Sequence, residues 1–230
     1  QPASTNTPST PAPSPTLKAS PTKADPLLYE DFNDTIYDSR FNRTLWKDEW
    51  LSKGSSFSQQ GGKMVISSGV SQENAGLVSS EYQRFVFKTP QFFQADILVP
   101  PQSSFGATFM RLNTGDMNWF SDCGLYYINI TEISAHCSER HYSPPDVSAD
   151  YDASWQATKP NQWHTFRIEV FPSTMTFVYY LDGAKIGQNI PRDAEKLKRS
   201  RFTLVIGVWE ERNSTVIGWF DNIRIGALPK

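Results

Sequence analysis

The side chains able to do chemistry are few and widely spaced. His136 and His141 lie near each other with Cys137 between them, while His164 stands apart, so the histidines lack the close spacing of a metal site. Cys137 also has a better use. Cys123 and Cys137 flank GLYYINITEISAH, which reads as two short strands around a turn near Ile130. Pairing about that centre sets Cys123 opposite Cys137, and directly opposed residues of an antiparallel pair meet at a distance a disulfide accepts. Such a bridge closes a loop of about 15 residues and contributes about 3 kcal/mol.

Carboxylates offer less. The doublet Glu210 and Glu211 in VWEERN cannot supply one site, because adjacent strand residues point to opposite faces. A pair drawn from separate strands, Glu210 with Asp152 or with Glu169, stays open, but nothing in the sequence selects it. There is no G-x-S-x-G elbow, and GQNIP and SSGVS read as turns rather than phosphate loops.

Aromatic residues make up 13% of the chain, with seven Trp, enough to ask whether some stand on a surface. Aromatic faces stack on the C–H surfaces of sugars, while Arg and carboxylate groups hydrogen-bond the hydroxyls. Trp119 lies in the polar stretch NTGDMNWFSDCG, and Trp155 lies in YDASWQATKP beside Tyr151 and Asp152. Each is either a binding-rim residue or a packing anchor. Arg111 and Tyr126 belong to strands adjoining the first stretch, and with Asp152 and Glu210 they complete the candidate ligand set. Trp46, Trp50, Trp163 and Trp219 lie in or beside apolar strands and read as core.

The elements that must position these residues are strands. The clearest runs are LLYEDF (27–32), KMVIS (63–67), FFQADILV (92–99), FGATFMRL (105–112), GLYYIN (124–129), HTFRIEVF (164–171), MTFVYYL (175–181), FTLVIGVW (202–209) and VIGWFDNIRI (216–225). They are rich in β-branched and aromatic residues and are separated by Gly, Pro, Asn or Asp clusters. In HTFRIEVF, Phe166, Ile168 and Val170 share one face while Thr165, Arg167 and Glu169 share the other, the alternation of a half-buried antiparallel strand. Asp182-Gly183 between two such runs predicts a type I′ hairpin turn. The one helical stretch, RDAEKLKRS (192–200), reads as a solvated connector.

Residues 1–26, QPASTNTPSTPAPSPTLKASPTKADP, carry Leu17 as their only sizeable apolar side chain. Such a Pro/Ser/Thr-rich segment cannot offset its chain entropy by burial and is expected to be a disordered tether, followed by one β domain over 27–230. A net charge of -2 gives no field to attract nucleic acid or anionic lipid. No apolar run is long enough to span a membrane, so an export signal or an anchor is expected upstream of Gln1. With the cysteines, this points outside the cytoplasm. Asn-x-Ser/Thr sequons at Asn33, Asn42, Asn129 and Asn213 matter only in a eukaryotic secretory pathway.

The series WHTFRIEVFPSTMT, FVYYLDGAKIG and GWFDNIRIGAL, with the opening YEDFNDTIYDSRFNRTLW, resembles the concanavalin A-like lectin/glucanase (laminin-G-like) superfamily over roughly residues 27–228. The resemblance implies an all-β jelly roll of two antiparallel sheets, with a glycan or polysaccharide as partner. It also implies a structural Ca²⁺ between the terminal strands, with Glu30 and Asp31 from the opening strand and Asp221, beside Asn222, from the closing one. The E-x-D-x-(x)-E strand of the laminarinase-type glucanases in this superfamily is missing. The expectation is therefore a non-catalytic glycan-recognising or adhesive module on a flexible stalk. The alternatives are a glycoside hydrolase or lyase of the same fold, and a sensor or spacer domain of a membrane-anchored protein with a protein partner.

Overall fold

A computed structural model describes residues 28–228 except 52–53, 70–73, 80–87, 102–104, 117, 130–131, 144–145, 154 and 211–213. The expected tether over 1–26, Glu211 and the sequon Asn213 lie outside the described residues. The strands are β1 (Leu28–Glu30), β2 (Trp46–Leu51), β3 (Ser56–Gln59), β4 (Met64–Ser67), β5 (Asn74–Ser79), β6 (Gln91–Leu98), β7 (Gly106–Thr114) and β8 (Trp119–Asn129). They continue as β9 (Glu132–Ser143), β10 (Asp146–Asp152), β11 (Gln156–Thr158), β12 (His164–Phe171), β13 (Thr176–Leu181), β14 (Ala184–Asn189), β15 (Phe202–Glu210) and β16 (Ile217–Ala227). The connector helix is a single turn, α1 (Ala194–Leu197).

The strands form two antiparallel sheets. The first runs β14-β13-β12-β6-β16-β4-β3 with β1 added on β16, and the second runs β10-β9-β8-β7-β15-β5-β2 with β11 added on β9. The two last strands enter the middle of the two sheets, and β1 lies against β16 with Glu30 opposite Ile223, so the terminal strands are neighbours as expected. Alternation builds the core: Phe166, Ile168 and Val170 of β12 are buried between the sheets, in register with Ala95 and Phe93 of β6 and beside Tyr179 of β13. Asp182 and Gly183 both have positive φ, as the predicted hairpin turn requires.

Strand β8 departs from the sequence expectation. It begins at Trp119, inside the stretch that reads as a polar connection, and Trp119, Ser121, Cys123 and Leu125 all point into the core. Ser121 is tolerated there because it bonds the Tyr179 hydroxyl at 2.9 Å, which donates to Glu139 Oε1 at 2.5 Å. Asn189 donates to the other oxygen of this fully buried carboxylate at 2.9 Å, so the polar pair is satisfied inside the sandwich.

Two of the Trp residues read as core are not fully buried. Trp163 is 39% exposed because it precedes β12, outside its alternation. Trp219 is half-buried on the outer side of β16, with the Lys63 ammonium 5.1 Å from its ring, whereas its neighbour Phe220 points inward. Trp46 is buried as expected, and the side chain of Trp50 lies outside the described residues.

Candidate functional site

The outer face of the second sheet gathers most of the candidate residues, and the Cys123–Cys137 disulfide fixes their register. With these two residues opposed, Asp122 faces Ser138, Gly124 faces His136 and Tyr126 faces Ser134. Arg111 of β7 and Asp152 of β10 extend the first of these rows, giving Arg111, Asp122, Ser138 and Asp152 side by side on four strands.

This row is a chain of charges and hydrogen bonds. Arg111 Nη2 donates to Asp122 Oδ2 at 2.7 Å, and Ser138 Oγ donates to Asp122 Oδ1 at 2.6 Å. The Arg111 guanidinium lies over Phe109 at 4.3 Å and Phe120 at 4.1 Å, so its position is set by two aromatic faces as well as by the carboxylate. Arg140 Nη2 donates to Asp152 Oδ1 at 2.7 Å, and the same oxygen lies 3.1 Å from His136 Nε2.

An aromatic cluster stands beside the row. Trp155, 51% exposed, stacks on the His136 ring at a centroid distance of 3.8 Å and an interplanar angle of 12°. Tyr126 meets both edge-on, at 5.1 Å from His136 and 5.7 Å from Trp155. Burial lowers the His136 pKa below the ordinary imidazole value against the pull of Asp122 and Asp152, and its buried Nδ1 has no hydrogen-bond partner among the described residues. Burial, reinforced by Asp122, pushes the Tyr126 phenol well above its ordinary value, so it stays a neutral donor. Across the sheet, Tyr126 pairs with Ala107 and Ala107 with Trp209, which is 38% exposed. One small residue thus separates two aromatic side chains along the face.

The candidates part company here. Arg111, Tyr126, Asp152 and Trp155 come together. Trp119 does not join them: 2% exposed, it packs in the core against Phe177 at 5.0 Å and Phe202 at 5.9 Å, and is the packing anchor of the two readings. Glu210 is buried with inward parity at the end of β15, accepting from the Ser214 amide. Glu169 lies on the outer side of the first sheet, held by Arg167 at 2.7 Å. Neither Glu210 with Asp152 nor Glu210 with Glu169 shares a face, so these carboxylate pairs are not assembled. The residues that sequence reasoning missed are Asp122, Ser138, Arg140 and Trp209, and His136 enters as a ring platform rather than a metal ligand. Counting outward from the opposed cysteines locates Asp122, Ser138 and His136 from sequence alone.

At the terminal strands, Asp31, which follows β1, lies near enough to Asp221 of β16 for its charge to act there. Asp221 is pushed up to about 6, by burial first and then by the charges of Asp96 and Asp31, while the Asn222 amide works against the shift. Glu30 is turned away, accepting from the Phe32 amide at 2.9 Å. Among the described residues no group of three or more His, Cys, Asp or Glu side chains is arranged to hold a metal ion.

The two-sheet sandwich is the concanavalin A-like jelly roll. No protein-family model matches the chain, and no curated protein matches it. Among solved structures it is similar to SCLam, a non-specific endo-β-1,3(4)-glucanase of family GH16, with TM-score 0.63 and 11% identity over 90% of this chain and 92% of that one. It is also similar to a laminarinase from Flavobacterium sp. UMI-01, with TM-score 0.60 and 12% identity over 87% and 99%. A third is β-agarase B from Zobellia galactanivorans, with TM-score 0.61 and 14% identity over 86% and 91%. At these identities the likeness is one of fold.

Proposed function

We propose that the outer face of the second sheet recognises a glycan outside the cytoplasm, with Trp155 as the stacking platform and Arg111 and Asp152, the two accessible members of the Arg111–Asp122–Ser138–Asp152 row, as the hydrogen-bonding fork. The observation that carries this reading is the half-exposed Trp155 ring held flat on buried His136, beside Tyr126 and fixed charges. An aromatic face braced from below and open above suits the apolar side of a sugar ring. The disulfide is compatible with an extracellular setting.

Two forms of this function differ in chemistry. The fold likeness to a glucanase, a laminarinase and an agarase favours a glycoside hydrolase over a binding module. The residues favour binding. Hydrolysis by two carboxylates needs one group free to act as acid and another as base or nucleophile. Here Asp122 is engaged by Arg111 and Ser138, and Asp152 by Arg140 and His136. We take recognition without cleavage as the primary reading. A glycan array run beside a reducing-sugar release assay on β-1,3-glucan, mixed-linkage glucan and agarose separates the two. Binding without release supports the primary reading, release converts it to the hydrolase, and neither signal removes both.

The partial donor set at the terminal strands belongs to the same proposal. Asp31 and Asp221 are its carboxylate ligands, and backbone carbonyls and water complete the oxygen shell of a Ca²⁺ ion.

A further inference from the structure

A second constellation lies where β11 of the second sheet meets β12 of the first. Thr158 ends β11, which belongs to the second sheet, while His164 opens β12 and Asp182 begins the β13–β14 hairpin turn, both on the first sheet. Thr158 Oγ1 lies 2.5 Å from His164 Nε2, and His164 Nδ1 lies 2.8 Å from Asp182 Oδ2. Asp182 accepts the Nδ1 proton in a hydrogen bond, and with the second proton absent, as a general base requires, Nε2 is placed to accept from the Thr158 hydroxyl.

Asp182 is itself held in place. Its Oδ1 accepts from the Thr165 amide at 2.8 Å, and its own amide donates to the Thr165 carbonyl at 2.8 Å. Burial raises the Asp182 carboxyl, but the hydrogen bonds from His164 and Thr165 outweigh it and hold the group below its ordinary value. The acid is thus ionised, the base oriented and the hydroxyl directed at the base. All three residues line a surface cleft of about 320 Å³, together with Lys159 and Gln162.

We propose that Thr158, His164 and Asp182 form a nucleophilic acyl-transfer site that cleaves small carboxylic esters. Thr158 Oγ1 adds to the ester carbonyl carbon as its proton passes to His164 Nε2, and Asp182 stabilises the imidazolium. Collapse breaks the bond to the leaving oxygen, which takes the proton from His164 and departs as the alcohol. Water then adds to the acyl carbon and gives a proton to His164. The bond to Oγ1 breaks, Thr158 recovers its proton, and the carboxylic acid leaves. The Lys159 ammonium and the amides of Gln156 and Gln162 line the same cleft and are donors of the kind that suits the negative oxygen of each tetrahedral intermediate.

The test uses p-nitrophenyl acetate on the whole chain, with rapid-mixing kinetics and peptide mass mapping of the quenched protein. The expected result is a burst of no more than one nitrophenolate per chain and an acetyl group on Thr158 itself, distinguished by fragmentation from acetylation of the adjacent Lys159. Thr158→Ala removes the nucleophile and lowers turnover by at least roughly 10²-fold, a conservative figure for losing a triad member, while Thr158→Ser restores it. Turnover in Thr158→Ala equal to that of the native chain overturns the proposal. So does wild-type protein that carries no acetyl group on Thr158, a readout that holds even if a variant is unstable.

Discussion

Trp155 lies flat on His136 at 3.8 Å, so one ring buries the other and keeps its own second face open. Removing the upper ring uncovers the imidazole and deletes the platform. Trp155→Ala is expected to weaken glycan binding at least tenfold while costing about 1 kcal/mol of stability, the scale of one aromatic pair. Trp119→Ala creates a cavity among Phe177 and Phe202 and is expected to cost about 3–5 kcal/mol. Urea denaturation of both variants checks the contrast, and equal losses would remove it.

The same contact makes the face sensitive to acid. A lowered His136 pKa means that the folded state holds its proton less tightly than the unfolded chain. The stability tied to this group is complete above the ordinary imidazole value of about 6.5 and is lost as pH falls through the lower folded value. Asp122, Asp152 and Arg140 are the charges that face the ring. Melting temperature and glycan affinity are both expected to drop on acidification through this window. His136→Gln is expected to flatten both profiles, and profiles that keep their slope in the variant would contradict the assignment.

Much of the fold can be read from period-two alternation, because strands such as β12 bury one face against the other sheet and leave the opposite face polar. The reading fails at NTGDMNWFSDCG for a physical reason. Ser121 and Glu139 are polar residues at core positions, paired through Tyr179, and their partners come from a distant strand that local pattern cannot see. The polar stretch therefore reads as a connection around Trp119 and hides Asp122 as an outward strand residue. The disulfide register contains the missing information, since opposing Cys123 and Cys137 sets Asp122 against Ser138 and Gly124 against His136. Trp209 has no such marker, because its neighbourhood to Tyr126 depends on β15 pairing with β7.

Asp221 predicts the opposite pH trend. With its pKa raised from 3.8 to about 6, the folded state holds this proton more tightly than the unfolded chain. The contribution is complete below the unfolded value and is lost as pH rises through about 6. At pH near 7, in the presence of chelator, Asp221→Asn is therefore expected to raise the melting temperature. Millimolar Ca²⁺ is expected to stabilise the native chain and leave the variant unmoved. A native melting curve that ignores both Ca²⁺ and chelator rules out the calcium site.

The Cys123–Cys137 bridge ties β8 to β9 beneath the proposed site. Its reduction is expected to cost about 3 kcal/mol, the loop-closure value. Denaturation with and without a reductant measures it. Reactive thiols in the unfolded, non-reduced protein would show that the bridge does not form.

The central claim is that a glycan seats on Trp155. Its most direct measurement is a tryptophan-fluorescence titration of the native chain and of Trp155→Ala with the oligosaccharide that scores highest on the array. A saturable change in the native chain that disappears in the variant, with the fold intact by circular dichroism, is the predicted result. The same saturable change and affinity in Trp155→Ala would place the ligand elsewhere and contradict the account.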